Sequence, residues 1–510
     1  MGKNFYITTP IYYPSGSPHI GHAYSSIIAD VFARFKRNDN YKVHFLTGTD
    51  EHGLKIQKAA EKKGLEPLEH CNQISKVFRD LATKLNLSND DFIRTTETRH
   101  QRAVNDLWNK LVKSGDIYLS KYKGWYSVSD EAYYSSDEII DKDGKKYSTF
   151  SGSLVEWVEE ESYFFRLSVW ENKLLDFYKK NPNFIVPSAR KNEVVNFVKS
   201  GLKDLSISRT SFSWGLKVPE DKKHVIYVWL DALTNYLSAL NFPDTNNTLF
   251  KKFWPASLHV IGKDILRFHA IYWPAFLLAA KIEPPKKIFS HGWILSGDEK
   301  MSKSKGNILN PLEIISEYGI DQIRYYLMKE VSHGSDGNIS IQSLKNCINS
   351  DLANNYGNLC QRVLSFIRNN CNSKVSKSIN FSASDQNIFI KTTSFTKSLR
   401  NEIDKQNLNN YIKSVINISF LTNKYTNDEE PWKLKDTNIE KMNNILHTAL
   451  EQIAKISLLL NPIIPDSTTK VLNALNIDKS LRNMSFLDGK NILRNEVTIS
   501  NLDILFKKII

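Results

Sequence analysis

A chain of 510 residues with 41% hydrophobic and 24% charged content can bury sizeable cores and is expected to form about two to four domains, which excludes a disordered segment or a small stapled scaffold. Its 68 Lys+Arg against 55 Asp+Glu, a formal charge of +13, favours a polyanionic partner, while its four cysteines, Cys71, Cys347, Cys360 and Cys371, form no CxxC pair and indicate neither a disulfide framework nor a thiolate zinc site. No run approaches the roughly 18 apolar residues of a membrane span, and the first strand pattern opens at Phe5, leaving no room for a leader, so a soluble, cytoplasmic protein without membrane association is expected.

In chain order, the apolar run Phe5 to Thr9 reads as a buried strand, and Pro14-Ser15-Gly16-Ser17-Pro18-His19-Ile20-Gly21-His22 opens an amphipathic helix through Ile27, Ile28, Val31 and Phe35. The turn between them is a polyphosphate cradle in outline. Helix N-termini offer unpaired N–H groups and the positive end of the macrodipole. His19 and His22 share that end and can donate to phosphate oxygens, and Gly21, without a Cβ, lets a flat base approach.

A second strand pattern, Val43 to Thr47, leads into Thr47-Gly48-Thr49-Asp50-Glu51-His52-Gly53 and a helical stretch from Leu54 to Lys63. From Gly115 to Lys217 the pattern breaks into Gly, Tyr, Ser and short alternating runs such as Leu154-Val155-Glu156-Trp157-Val158, read as an insertion that splits the fold. Strand and helix then return at Leu258 to Ile261 and Ile265 to Ala280. The alternation predicts a parallel α/β sheet. Asp264, after a strand and before a helix, falls in the carboxyl-end crevice where such sheets bind ligands.

Lys300-Met301-Ser302-Lys303-Ser304, followed by Lys305-Gly306-Asn307, is a small cationic loop that core packing does not require. Attack of a carboxylate on the α-phosphorus of ATP puts negative charge on the phosphoryl and departing pyrophosphate oxygens, and ammonium groups such as Lys300 and Lys303 can neutralise it. Beyond Asp351 come long helical stretches, Leu352 to Asn369, Glu402 to Tyr425 and Ile439 to Leu460, which predict an all-α bundle.

With both cationic and histidine motifs in this order, the chain resembles a class I aminoacyl-tRNA synthetase. Thr9-Pro10-Ile11-Tyr12-Tyr13-Pro14, the Thr47 to Gly53 run, Tyr227-Val228-Trp229-Leu230-Asp231-Ala232, Ile261-Gly262-Lys263-Asp264-Ile265, Phe268-His269, Trp273-Pro274-Ala275 and His291-Gly292-Trp293 narrow the resemblance to the methionyl-tRNA synthetase family, nearly over the full length. The resemblance implies a split Rossmann catalytic domain, a doubly wound parallel sheet, at 1–114 and 218–295; an inserted connective domain at 115–217; a linker with the lysine loop at 296–350; and a helical anticodon-binding domain at 351–510.

It also implies the reaction: methionine is activated to methionyl-adenylate and passed to its tRNA, with release of pyrophosphate and then AMP. His19, His22, Lys300 and Lys303 become the catalytic set. Tyr13, Gly21, Gly262, Asp264, Trp293 and Ile294 join His19, His22 and Lys303 around ATP. Ile11, Tyr13, Trp229, Ala232, Leu233, Tyr236, Ile265, His269 and Trp273 surround the amino acid, whose thioether favours aromatic walls, with Asp50 on its ammonium. Asn358 and Arg362, one helical turn apart, and Trp432, a stacking platform, are assigned to the anticodon.

Magnesium is expected to arrive on ATP phosphates without a dedicated protein cage. Many relatives carry cysteine zinc knuckles in the insertion, but Gly124 to Glu131 and Asp141-Lys142-Asp143-Gly144 hold none, so the resemblance is to the zinc-free bacterial and organellar-type branch and no metal ligand is expected. Because the chain stops at Ile510, soon after the helical stretches, a monomer without an appended module is the expectation. Two other readings stand at this point, a non-catalytic tRNA-binding paralogue and a small-molecule nucleotidyltransferase that shares the histidine turn; methionine-dependent exchange of pyrophosphate into ATP separates them.

Overall fold

The computed structural model describes residues 3–509 apart from 15, 131, 135, 297–298, 301–309, 333, 377–380 and 490. Six parallel strands form the central sheet, in the order Asp91–Arg94, Lys42–Thr49, Asn4–Thr8, Leu258–Gly262, Ile288–His291, Ile185–Val186. The inner strands are buried on both faces, with Leu258–Gly262 and Ile288–His291 covered along their whole length. The order reverses between Asn4–Thr8 and its neighbour Leu258–Gly262, joined in register at Ile7 to Leu258 and Thr8 to His259. Their carboxyl ends therefore diverge around a crevice, the place where open sheets of this kind bind ligands.

The first helix, Ile20–Asn38, packs on one face with Ile27, Ile28, Val31, Phe32 and Phe35 fully or almost fully buried. It has no acidic residue in its first turn and Lys36 and Arg37 in its last, so its basic end complements the macrodipole while its positive end stays open toward the crevice. The same core continues without a break into the helical region, through Ile412, Ile453 and Leu459. Across the sheet a second core gathers Tyr6, Trp108, Tyr236 and Trp273.

The insertion builds a four-stranded antiparallel sheet in which Ile117–Ser127 and Glu156–Phe165 pair from Ile117 with Phe165 to Tyr126 with Glu156, plus a small hairpin of Ile139–Lys142 with Lys145–Ser148. Its chain also returns one strand, Ile185–Val186, to the edge of the central sheet. A two-residue strand has no periodicity to detect, so the 115–217 segment reads in the sequence as wholly separate.

Beyond the linker, Asn358–Asn370, Ala383–Thr396, Leu408–Glu429, Ile439–Leu460 and Pro465–Ala474 form the helical bundle. The stretch expected to be one helix from Glu402 to Tyr425 is broken. Leu399–Asp404 ends, Gln406 takes a left-handed φ of 57°, and Asn407 caps the next helix by accepting from the Asn410 N–H at 3.2 Å. Ile265 to Ala280 is likewise irregular: a tight turn at Lys263–Ile265, a π-turn at Phe268–Tyr272 and an α-helix at Trp273–Ala279.

Candidate active site

A cavity of about 580 Å³ opens at the strand-order reversal. It is lined by His19, Gly21, His22, Gly262, Asp264, Trp293 and Ile294, and also by Ile11, Tyr13, Asp50, Trp229, Ala232, Leu233, Tyr236, Ile265 and His269. Two sets of residues proposed from the sequence for a nucleotide and an amino acid thus share one space. Trp273 stands a layer back, fully buried behind Tyr236 with the rings 6.2 Å apart. Lys303 lies outside the described residues, and Lys300 is described through its backbone, paired with Leu295.

The two signature histidines are organised by the helix they open. The His19 Nδ1 accepts from the Gly21 N–H at 3.2 Å and the His22 Nδ1 accepts from the His19 N–H at 3.1 Å. A neutral imidazole that accepts at Nδ1 carries its proton on Nε2, which makes Nε2 the donor atom of each ring. The rings stack with centroids 3.7 Å apart. A Cβ on Gly21 would lie 3.0 Å from the His19 ring, a tight contact that would press on the imidazole.

Asp50 lines the cavity and is buried, and the loop that carries it is tied down by several hydrogen bonds. Its N–H donates to the Tyr12 carbonyl at 2.9 Å. Next to it the Glu51 carboxylate takes a two-pronged grip from Arg94 at 2.7 and 2.9 Å and a hydroxyl from Thr96 at 2.6 Å. The Trp214 indole N–H donates to the Glu51 carbonyl at 2.6 Å. His52 and His100 each lie 2.6 Å from the fully buried Asp231; burial would raise this carboxyl, but the two imidazoles bring it down to about 2. The Asp50 run and the Tyr227 to Ala232 run that holds Asp231 were visible as motifs, whereas Arg94 and His100 reach them through the fold.

Around Trp229, Tyr236 and His269 the cavity wall is aromatic. Trp229 and Phe268 stack with centroids 3.8 Å apart and planes 6° from parallel. His269 donates from Nδ1 to the Ile265 carbonyl at 3.0 Å, which leaves Nε2 to accept from the Tyr236 hydroxyl at 2.7 Å. Burial lowers His269 to about 4, so this pair stays neutral near pH 7 and presents a polarizable wall suited to a thioether.

The insertion closes one side. Ser129, Asp130, Tyr134, Phe150, Ser151 and Ser153 line the cavity, and Arg267 pins the insertion to the core through Glu138 at 3.0 Å. In the stretch that lacks cysteine, Asp130 cross-ties the chain by accepting from Tyr134 and Ser153, both at 2.8 Å, and from Ser151. No group of three or more His, Cys, Asp or Glu able to hold a metal occurs among the described residues.

In the helical region Asn358 is exposed and Arg362 is held by Thr426 at 2.6 Å, Asn423 at 3.4 Å and Asn427. The guanidinium lies 5.5 Å from the centre of the half-buried Trp432 ring. Glu430, left-handed at φ 41°, turns the chain back after Leu408–Glu429, and that reversal brings Trp432 over Arg362. The three residues expected to meet RNA are therefore grouped, and Asn423, Thr426 and Asn427 are the supports no motif announced.

A family model described as tRNA synthetases class I (M) matches residues 5–364, and one described as the anticodon binding domain of methionyl tRNA ligase matches residues 375–510. The methionine--tRNA ligase of Rickettsia typhi is 49% identical over 512 residues, covering 100% of both chains, and that of Brucella suis biovar 1 is 48% identical, covering 94% of this chain and 93% of its own. Among solved structures, Mycobacterium tuberculosis methionyl-tRNA synthetase in complex with methionyl-adenylate superposes with a TM-score of 0.96 at 43% identity over 99% of each chain. The free form of that protein gives 0.90 at 39% identity, covering 100% of this chain and 99% of its own.

Proposed function

The chain belongs to the class I methionyl-tRNA synthetase family and is a methionine--tRNA ligase, and from that premise we propose how its residues divide the work. Methionine lies at the aromatic end, its ammonium on Asp50 and its thioether against Trp229, Tyr236 and His269. ATP crosses to the other end, with the adenosine near Gly262, Asp264, Trp293 and Ile294 and the phosphates over the Nε2–H groups of His19 and His22. The observation that carries this reading is that one continuous cavity joins the open helix end to the buried carboxylate.

In the first step a methionine carboxylate oxygen attacks the α-phosphorus, the bond to the bridging oxygen breaks and pyrophosphate departs. His19 and His22 donate to oxygens that gain charge, and Lys303, aided by Lys300, neutralises the leaving group. Magnesium comes as part of the ATP substrate, carried on its phosphate oxygens. In the second step a hydroxyl of the terminal ribose of the tRNA attacks the adenylate carbonyl, losing its proton, and AMP leaves. Asn358, Arg362 and Trp432 hold the anticodon far from this chemistry.

No helix among the described residues is long and apolar enough to cross a membrane, and a cytoplasmic monomer is the state in which we place the enzyme. The test is methionine-dependent exchange of labelled pyrophosphate into ATP. The intact enzyme should exchange, and Lys303→Ala should lose several orders of magnitude in rate at nearly unchanged methionine affinity, since an ammonium that acts on transition-state charge contributes little to substrate binding. Near-normal exchange by that variant would overturn the assignment.

A further inference from the structure

Two residues outside the cavity wall, Lys263 and Asp336, hold together the part of the site assigned to the nucleotide. The strands Leu258–Gly262 and Ile288–His291 are in register up to their last rung, Gly262 with His291, and beyond it no sheet pairing fixes the two chains relative to each other. Asp336 bridges the gap. Its Oδ2 accepts from the Lys263 Nζ at 2.6 Å and its Oδ1 accepts from the Trp293 N–H at 2.9 Å. One carboxylate thus ties the residue after the first strand to the second residue after the other.

The side chains follow. The Lys263 ammonium sits 3.9 Å from the centre of the Trp293 ring, a cation–π contact that fixes the plane of the indole. The Trp293 Nε1–H points to Asp264 Oδ1 at 3.4 Å. The backbone is fitted as closely: a Cβ on Gly292 would fall 2.1 Å from the Ser335 carbonyl oxygen and 2.5 Å from the Asp336 nitrogen, and the Gly337 N–H donates to the Trp293 carbonyl at 2.9 Å. Trp293 and Asp264 line the cavity while Lys263 and Asp336 do not.

We infer that Asp336 and Lys263 are positioning residues for ATP: acting as one ion pair, they set Trp293 and Asp264 to grip the adenosine, and they touch neither methionine nor the phosphates. This rests on the nucleotide assignment given above. The pair acts on affinity for one substrate of two, which a residue needed only for folding would not do.

The experiment measures Michaelis constants for ATP and methionine in pyrophosphate exchange, together with the melting temperature, for Asp336→Ala, Asp336→Asn, Lys263→Met, the Asp336→Ala/Lys263→Met double variant and Trp293→Ala. Asp336→Ala should raise the ATP constant about ten- to a hundredfold, as loss of a charged hydrogen-bond partner does, with the methionine constant and the melting temperature nearly unchanged. Asp336→Asn, which keeps an oxygen for the Trp293 N–H, should recover part of the loss. The double variant should be no worse than Asp336→Ala, because the two residues act as a unit. Additive losses would overturn the pairing. A parallel rise in both constants with a lower melting temperature would make Asp336 a folding residue and overturn it also. If Trp293→Ala raises the ATP constant and Asp336→Ala does not, the inference fails and the nucleotide assignment survives; if the reverse holds, the pair does not act through Trp293 and the inference fails as drawn. If neither variant raises it, both fall.

Discussion

The guanidinium of Arg324 places Nη2 2.6 Å from Asp30 Oδ2, and both side chains are completely buried. Asp30 sits midway along the helix that begins with the signature histidines, while the other Arg324 hydrogens go to the carbonyls of Leu85 at 3.1 Å, Pro462 at 2.9 Å and Ile463 at 2.7 Å. A single side chain therefore welds the catalytic sheet to the helical bundle.

Arg324→Ala should cost roughly 3 to 5 kcal/mol, since removing one member of a buried pair leaves the other charged and desolvated. Three carbonyls lose their donor as well. The denaturant midpoint checks this; a shift equivalent to under about 1 kcal/mol, the value of an exposed pair, would show that Arg34, 2.7 Å from Asp30, suffices alone.

Asp50→Asn keeps the shape of the side chain and removes the charge. The Michaelis constant for methionine should rise roughly 10- to 100-fold, the value of a charge-assisted hydrogen bond, while that for ATP moves little. Steady-state exchange kinetics with each substrate varied in turn read both, and an unaltered methionine constant would assign the ammonium to another carboxylate.

Trp432→Ala should lower kcat/KM for tRNA aminoacylation by an amount equivalent to roughly 1 to 3 kcal/mol, the worth of one stacked base. Pyrophosphate exchange, which needs no tRNA, should be unchanged. A parallel fall in both activities would make Trp432 a packing residue.

His269 gives stability an acid dependence whose sign follows from its burial. An unfolded histidine titrates near its ordinary 6.5, whereas burial holds His269 at about 4 in the folded chain, so between these values the unfolded state takes up a proton that the native state refuses. Stability is thus lost as the pH falls from about 6.5 toward 4, by up to about 3 kcal/mol from this residue. His259, also lowered by burial, adds to the slope. Chemical denaturation from pH 7 to pH 5 should show a shallower loss in His269→Gln than in the parent; equal slopes would refute the assignment.

What could be read from the chain alone was what lies contiguous in it. The histidine turn and the Thr47 to Gly53 loop are short runs at strand ends, and the spacing of apolar residues around them announces the elements that carry them, while the roles of Asp50, Asn358 and Arg362 came only with the family resemblance. The supporting residues were hidden for a physical reason. His100 meets Asp231 from 131 positions away and Arg324 meets Asp30 from 294, separations at which no local periodicity survives. The break at Gln406 was equally silent, since a left-handed residue other than glycine, compensated by an Asn cap, leaves no mark in the hydrophobic pattern.

The sheet order carries a consequence for how the protein is made. Asn4–Thr8 is among the first segments to leave the ribosome, yet one of its two partners, Leu258–Gly262, follows some 250 residues later. At the usual 5 to 20 residues per second, roughly 10 to 50 seconds pass in which the nascent first half presents an unpaired parallel edge, with Ile7 and Thr8 waiting for Leu258 and His259. Such an edge is a template for wrong partners. Among the strand pairs of the central sheet this is the one left open longest, and the emerging sheet has most need of a chaperone there.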